Sequence, residues 1–472
     1  MRSYSGRRVL AWLAAAVLLA AAIVVGVRAY RTALVGSGFT AELLCGGVFV
    51  SGRDAGAVRG VDLTGPGYER LGYFSTRVEQ DARRVTSSVY GLASQTAIFR
   101  EGLGCTLIDG RTADTLRAEA STFAPLPVSV DALWPEGDRV DLDAPPQGFD
   151  KAVLDEAVDA AFAEPDPAHP RNTRALVVVH NARIVAERYA PGFDGNMPLI
   201  GWSMTKAALN ALVGLRVMDG KLAVSDKDLM PEWRGEGDPR RAISLGDLLH
   251  MSSGLEFDET YGPLGDVTWM LFVAGDKAKF AAAKPLIHPP GTHWKYSSGT
   301  SVIIARTLRN TFASENEYLR YARERLFAPL GMSSALIAPD SAGTLVGSSL
   351  MYASARDFAR LGLLYLQDGL WRGERLLPEG WVNYSLTPAK SLTDKSYGAH
   401  MWLKLPLSEG LGEPPMPEDS FYFLGHDEQI VAIIPSRDLV IVRLGLTQEG
   451  GHWDHARDLA PIVSAFPARS TT

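Results

Sequence analysis

Ser203 and Lys206, in the segment Trp202-Ser203-Met204-Thr205-Lys206, are the two side chains whose types and spacing could do covalent chemistry. Three residues apart on a helix they share a face, so the serine hydroxyl can give its proton to the lysine amine. That makes a nucleophile with its base one turn away. A free lysine amine titrates near about 10.4, so this chemistry needs a lysine held in a cleft, where burial or a neighbouring cation lowers that value. Ser203 is the one serine in the chain with lysine three residues later. The competing reading is a serine near a helix start with a solvated lysine one turn on.

The flanking pattern supplies elements that could hold such a pair. The run from Trp202 towards Met218-Asp219-Gly220 reads as a helix, and a hairpin stands just before it: Arg174 to His180, a turn at Asn181-Ala182, and Ile184 to Tyr189. Beyond Gly220 the pattern is mainly helical. Ser244 can cap a helix from Leu245 to His250, with Asp247 near its positive end, and further helices are expected over Ser301 to Leu308, Glu317 to Phe327 and Ala355 to Leu366. Strand periodicity returns at Tyr422 to Leu424, Ile430 to Ile434 and Leu439 to Leu444, with a turn at Pro435 to Asp438 and a last helix from His455 to Ala465. This order predicts one sheet assembled from both ends of a domain, a helical insertion between them, and a cleft at the seam.

With 472 residues, a net charge of −7 and 46% hydrophobic residues, the chain has the composition of a globular protein of more than one domain. A mildly acidic chain without clustered Lys and Arg is not a nucleic-acid binder. Arg2, Arg7 and Arg8 precede an uncharged run from Val9 to Val27, closed by Arg28 and Arg31. About twenty apolar residues cross a bilayer, and cations on the leading side keep that side in the cytoplasm. The bulky, charged Arg28-Ala29-Tyr30-Arg31 does not look like a cleavage site, so an uncleaved signal anchor is expected over residues 1–34, with the body exported to the periplasmic or extracellular face.

Residues 35–124 read as a small accessory region, with strands at Gly47 to Gly52, Ser88 to Leu92 and Ala97 to Arg100. The two cysteines, Cys45 and Cys105, lie here, and an oxidising compartment would let them pair, first strand to last; two separate buried thiols are the alternative. From Pro125 to Pro146 the composition shifts to Pro, Asp and Gly, as in a stiff surface linker over 125–148, which places the main domain at 149–472.

Three motifs occur in order and widely spaced: Ser203-Met204-Thr205-Lys206, Tyr296-Ser297-Ser298 and Gly425-His426-Asp427-Glu428-Gln429. Together they resemble the active-site motifs of the penicillin-recognising serine hydrolases. The Tyr-based second and His-based third motif resemble the class C β-lactamase-like branch, which holds esterases, D-amino-acid peptidases and 6-aminohexanoate-dimer hydrolases. Leu245 to Leu255 and Pro329-Leu330-Gly331-Met332 are similar to supporting segments of that branch. The resemblance spans roughly residues 150 to 465. It implies an α+β fold, an antiparallel sheet flanked by helices plus an all-helical subdomain, here preceded by the anchor and the accessory region. It also implies acyl transfer without a cofactor. Ser203 would attack a carbonyl, Lys206 accept its proton and Tyr296 relay a proton to the leaving group, while the backbone N–H groups of Ser203 and Gln429 form an oxyanion hole. A cationic Lys206 beside Tyr296 would favour the phenolate. Ser298, His426, Asp427 and Trp202 are candidate substrate contacts.

Two departures from the family pattern stand out. Ser298 replaces a common Asn, and Glu428 replaces a Gly, so that Asp427 and Glu428 put negative charge where β-lactamases often keep a cation. Efficient β-lactam opening is therefore not expected. His452-Trp453-Asp454-His455 lacks a partner set at metal-ligand spacing and reads as a helix-start surface, so no metal is expected. Trp202, Tyr261, Trp269 and Trp402 could line a pocket or pack in the core. The leading expectation is a membrane-anchored serine hydrolase acting on a small amide or ester. The alternatives are a penicillin-binding-like sensor without turnover, or a D-amino-acid peptidase or β-lactamase. An α/β-hydrolase is disfavoured, because Thr205 stands where its nucleophile elbow needs Gly.

Overall fold

The computed structural model describes residues 3–120, 123, 126, 131–143, 146–406, 416–448 and 450–468. Arg2 and Pro125, used above, lie outside them. The uncharged run sits inside one long helix, α1 (Ser3–Cys45), whose first part is exposed on every face, with Leu18 at 70% and Ile23 at 57%. By length and composition it can cross a bilayer. From Val35 onward its side chains turn into the protein.

Two of its glycines explain how closely it docks. A Cβ on Gly36 would meet the Phe74 ring at 2.4 Å, and one on Gly38 the backbone oxygen of Phe272 at 1.9 Å. The helix also continues one turn further than the sequence suggests. Gly47 to Gly52 was expected as a strand, but Gly46–Val50 is a wide helical turn closed by Ser51 N–H donating to Gly46 O at 2.9 Å. The helix there continues a hydrogen-bond ladder already formed in α1.

The accessory region is a four-stranded antiparallel meander, β1 (Phe74–Glu79), β2 (Arg84–Val89), β3 (Leu92–Arg100) and β4 (Gly104–Leu107), packed on α1 through Ala41, Leu44, Val85 and Ala97. The expected strand Ser88 to Leu92 is broken by the β2–β3 turn at Tyr90 and Gly91, with φ of 50° and 75°; Ser88 and Val89 end β2 and Leu92 begins β3. Cys45 is bonded to Cys105, which joins the end of a helix, not a first strand, to β4. The region is held to the rest of the chain by polar contacts. Asp62 accepts from Arg53 at 2.5 and 3.0 Å and from Arg174 at 3.1 and 2.5 Å.

The part of the linker that is described is not a free surface connection. Trp134 is buried, and Arg360 donates to Pro135 O at 3.1 Å and Gly137 O at 2.6 Å.

The main body opens with α2 (Lys151–Phe162), β5 (Thr173–His180) and β6 (Arg183–Tyr189). Asn181 and Ala182, at φ of 49° and 55°, make the tight turn of this hairpin. Next come α3 (Thr205–Met218), α4 (Ser298–Arg309) and α5 (Ala355–Leu366). The chain closes with β7 (Phe421–Gly425), β8 (Gln429–Ile434), β9 (Leu439–Gly445) and α6 (His455–Ser464).

The sheet order is β7-β8-β9-β5-β6, all antiparallel, so the two ends of the domain build one sheet. Both faces are covered, and successive residues of β5 enter different cores. Leu176 and Val178 meet α2 and α6 residues such as Leu154 and Ile462; Val177 and Val179 join the larger core with α3 and α5. Gly362 lets α5 lie close to the sheet, since a Cβ there would be 2.7 Å from Val440.

Candidate active site

Ser203 sits in a single tight turn, Trp202–Met204, that leads into α3. Trp202 is held at φ 48°, a strained conformation for a bulky residue, and Gly201 N–H donates to Met351 O at 2.8 Å, pinning the turn to a neighbouring strand. Thr205 Oγ1 donates to Trp202 O at 2.6 Å and accepts from Met351 N–H at 3.0 Å.

Because α3 is the central helix of the larger core, its first turn carries Lys206 inside, where only 2% is exposed. Its amine has three partners: Ser203 Oγ at 3.0 Å, Ser298 Oγ at 3.3 Å and Ser348 O at 3.0 Å. Burial brings Lys206 down to about 8, against a smaller opposing pull from the Glu259 carboxylate. Below it, buried His400 donates from Nδ1 to Lys206 O at 3.1 Å and accepts from Ser301 at 3.1 Å; burial and the nearby Lys206 push it down to about 3, so it stays neutral.

Tyr296 presents its ring to Lys206 Nζ at 4.8 Å and stacks on Trp402 at 5.6 Å, with its hydroxyl within hydrogen-bonding range of Ser203. The phenolate expected from the lysine charge is not favoured. Burial, together with Tyr397 and Glu259, raises Tyr296 well above the ordinary value, so its hydroxyl keeps its proton and can donate it.

Ser298, expected to touch substrate, is fully buried and instead links Lys206 to Glu259, which accepts from Ser298 Oγ at 2.5 Å and Ser298 N–H at 2.8 Å. Glu259 was not singled out in the sequence, nor was Tyr261 given a place beside the nucleophile. Tyr261 brings a second hydroxyl to Ser203 and Ser298, raised by burial, while its ring remains 44% exposed. Both lie in a loop without periodicity, and the one signal was an acid and an aromatic shortly after Ser252-Ser253-Gly254.

The two backbone groups expected as an oxyanion hole stand on the Ser203 turn and at the first residue of β8. These elements touch where Gly425 meets Gly201, a Cβ on Gly425 falling 2.3 Å from Gly201 O. The Gln429 side chain is engaged elsewhere, clamping Gly445 by Nε2 to O at 2.7 Å and Gly445 N–H to Oε1 at 2.9 Å.

A cleft of about 330 Å³ is lined by Ser203, Tyr261, Tyr296, Trp402, His426 and Glu428 among others. His426 forms part of its wall, stacked on Tyr261 at 4.8 Å. Trp202 and Asp427 line other cavities. Trp202 is buried edge-on to His426, and Asp427 lies 3.5 Å from His426 and near Arg174, so neither lines the cleft that holds Ser203. Asp427 and Glu428 have φ of 57° and 61°, the left-handed region that explains why the related motif keeps glycine at the second position. Glu428 remains on the rim. Burial would raise its carboxyl, but the His455 partner at 2.8 Å outweighs that and lowers it, so a charge is kept there.

Asp454 caps α6, as a helix start should. His452 lies instead beside half-buried Asp166 and exposed His169, their ligand atoms within 4.8 Å of one another.

Comparison with known proteins places the main body in a family. The family model described as Beta-lactamase matches residues 158–464. The 6-aminohexanoate-dimer hydrolase of Paenarthrobacter ureafaciens is 24% identical over 240 residues, 48% of this chain, and the chain spans 60% of that relative's length. A Bacillus anthracis structure provisionally named a 6-aminohexanoate-dimer hydrolase superposes with a TM-score of 0.51 at 22% identity, covering 63% of this chain and 78% of its own. A penicillin-binding protein homologue from Caulobacter crescentus has a TM-score of 0.50 at 17% identity, over 66% of this chain and 95% of its own. The chain belongs to the beta-lactamase family of serine hydrolases.

Proposed function

We propose that this protein is a membrane-anchored hydrolase that cleaves an amide or ester of a small molecule through an acyl-enzyme on Ser203. One observation carries the reading: a buried lysine, lowered to about 8, stands 3.0 Å from the hydroxyl of a serine that opens onto a cleft. Lys206 takes the Ser203 proton as the Oγ–carbonyl bond forms; the N–H groups of Ser203 and Gln429 hold the oxyanion. Tyr296, kept protonated by burial, gives its proton to the leaving alcohol or amine and recovers one from Lys206. Water then repeats the sequence on the acyl-enzyme. The Paenarthrobacter relative's name points to a linear amide as one substrate class.

In this reading residues 1–34 are the anchor, 35–124 an accessory layer and 149–472 the hydrolase, joined by the segment 125–148, with the body outside the cytoplasm. A fluorophosphonate probe should label wild type and not Ser203→Ala, and a reporter active only after export, fused to the C-terminus, should be active. Equal labelling of Ser203→Ala removes the nucleophile assignment, and an inactive reporter on expressed protein removes the topology.

A further inference from the structure

A second cavity, of about 740 Å³, lies between the anchor helix and the rim of the cleft. Its size is that of pockets that bury most of a small ligand, about 300 to 1,000 Å³. Val35 and Phe39 of α1 line it together with Phe74 and with Phe272, whose ring meets that of Phe39 edge-on at 5.1 Å. At 1.5 Å per residue, Thr32 and Phe39 stand roughly 8 and 18 Å beyond Val27, the last residue of the apolar run. With that run in a bilayer, the cavity begins at headgroup level. Its far end is formed by Trp202, Tyr261 and His426. The latter two also line the Ser203 cleft, so the stacked Tyr261–His426 pair is the partition between the two spaces.

We propose that this cavity takes the acyl chain of an amphiphile drawn from the membrane face, whose ester or amide carbonyl is thereby presented to Ser203. The proposal rests on the reading of Ser203 as nucleophile. Three features support a chain rather than a polar ligand. The walls nearest α1 are aliphatic and aromatic. The cavity runs from the end of the apolar run to the Tyr261–His426 pair, and the cleft on the other side of that pair holds Ser203, so a molecule with one end in the bilayer reaches the serine across the edge of these two rings. Gly36 and Gly38 fix α1 tightly against the body, so the cavity is bounded by packed parts. In the reaction Ser203 Oγ bonds to the acyl carbon and the bond to the alcohol or amine breaks. The Ser203 proton passes through Lys206 to that leaving group, and water later releases the carboxylic acid. Each methylene that leaves water favours binding by at most about fourfold.

The test uses full-length protein in phosphatidylcholine vesicles and 4-nitrophenyl esters from acetyl to decanoyl. For wild type, kcat/KM should climb by at least tenfold between acetyl and decanoyl. Val35→Trp, which fills the cavity, should reduce the decanoyl-to-acetyl ratio by tenfold or more, as should Thr32→Trp at the mouth. Tyr90→Ala, on an exposed turn of the accessory sheet, should leave the ratio unchanged. A decanoyl probe carrying a diazirine at its chain end should crosslink within residues 32–39 or at Phe74 or Phe272. Acetyl ester turned over with no gain for longer chains, an unchanged ratio in both tryptophan variants, or crosslinks confined to the cleft around Trp402 each overturns the cavity assignment. No turnover of any ester by wild type, with no fluorophosphonate adduct, overturns instead the reading beneath it. Val35→Trp that does not fold leaves Thr32→Trp and the crosslinks to decide.

Discussion

Glu259 accepts two hydrogen bonds from Ser298, one from the hydroxyl at 2.5 Å and one from the backbone N–H at 2.8 Å. Through that serine the carboxylate is tied to the Lys206 amine, 3.3 Å beyond. The arrangement places the one charge that raises Lys206 against the burial that lowers it. Glu259→Gln should therefore move the acid limb of the kcat/KM profile to lower pH, because the neutral amine is reached sooner. A limb that stays put or moves up would show that Glu259 does not act on the base.

In wild type, the base is the neutral form of Lys206, so kcat/KM on an ester should rise with pH and level off above about 8. Lys206→Ala should remove that limb and cost about a hundredfold to ten-thousandfold in rate, with substrate affinity changing less. Steady-state rates from pH 5 to 10 check both. A variant with the wild-type rate sinks the assignment.

Tyr296→Phe keeps the ring against Trp402 and Lys206 and removes the proton. It should slow anilides about tenfold or more beyond its effect on nitrophenyl esters, since amines leave poorly without protonation. Equal losses on both would place Tyr296 in binding instead.

Glu428 keeps its charge on the rim through His455. Wild type should therefore open an anionic cephalosporin poorly. Glu428→Gln should improve acylation by that anion about threefold to tenfold relative to a neutral ester, with the gain shrinking at high salt. An unchanged ratio at low salt would remove the electrostatic explanation.

The bond between Cys45 and Cys105 closes a loop of 60 residues. In the chain-entropy model such closure stabilises the folded state by about 4 kcal/mol. Non-reducing peptide mapping should find the linked pair, and Cys45→Ser/Cys105→Ser should unfold at a lower temperature. Two alkylatable thiols in exported protein would contradict the pairing.

Periodic features were legible in the sequence because their period is set by backbone geometry. The continuous apolar runs of β5, β8 and β9, the capped helix at Ser244 with Asp247, and the spacing of Ser203 and Lys206 all reappear in the fold. Tertiary arrangement was less legible. Gly47, read as the start of a strand, instead serves close packing of a continuing helix, lying against Val58. Charge alone suggested a Tyr296 phenolate, and burial reversed that. Asp427 sits within the third motif, but its backbone turns it towards Arg174, which no local pattern reports. Glu259 reaches the site from a loop, where neither spacing nor alternation exists to mark it.

Val177, near the start of the main body, lies opposite Val442, near its end. The central strand pair therefore cannot form until almost the entire chain is present, and pairings this distant in sequence are slow to find. Ser203 and Lys206 are made early, but the turn at Gly425 to Gln429 that faces them comes late. A chain still being made therefore carries Ser203 without the wall that completes the cleft, and a product truncated before Gly425 lacks that wall altogether.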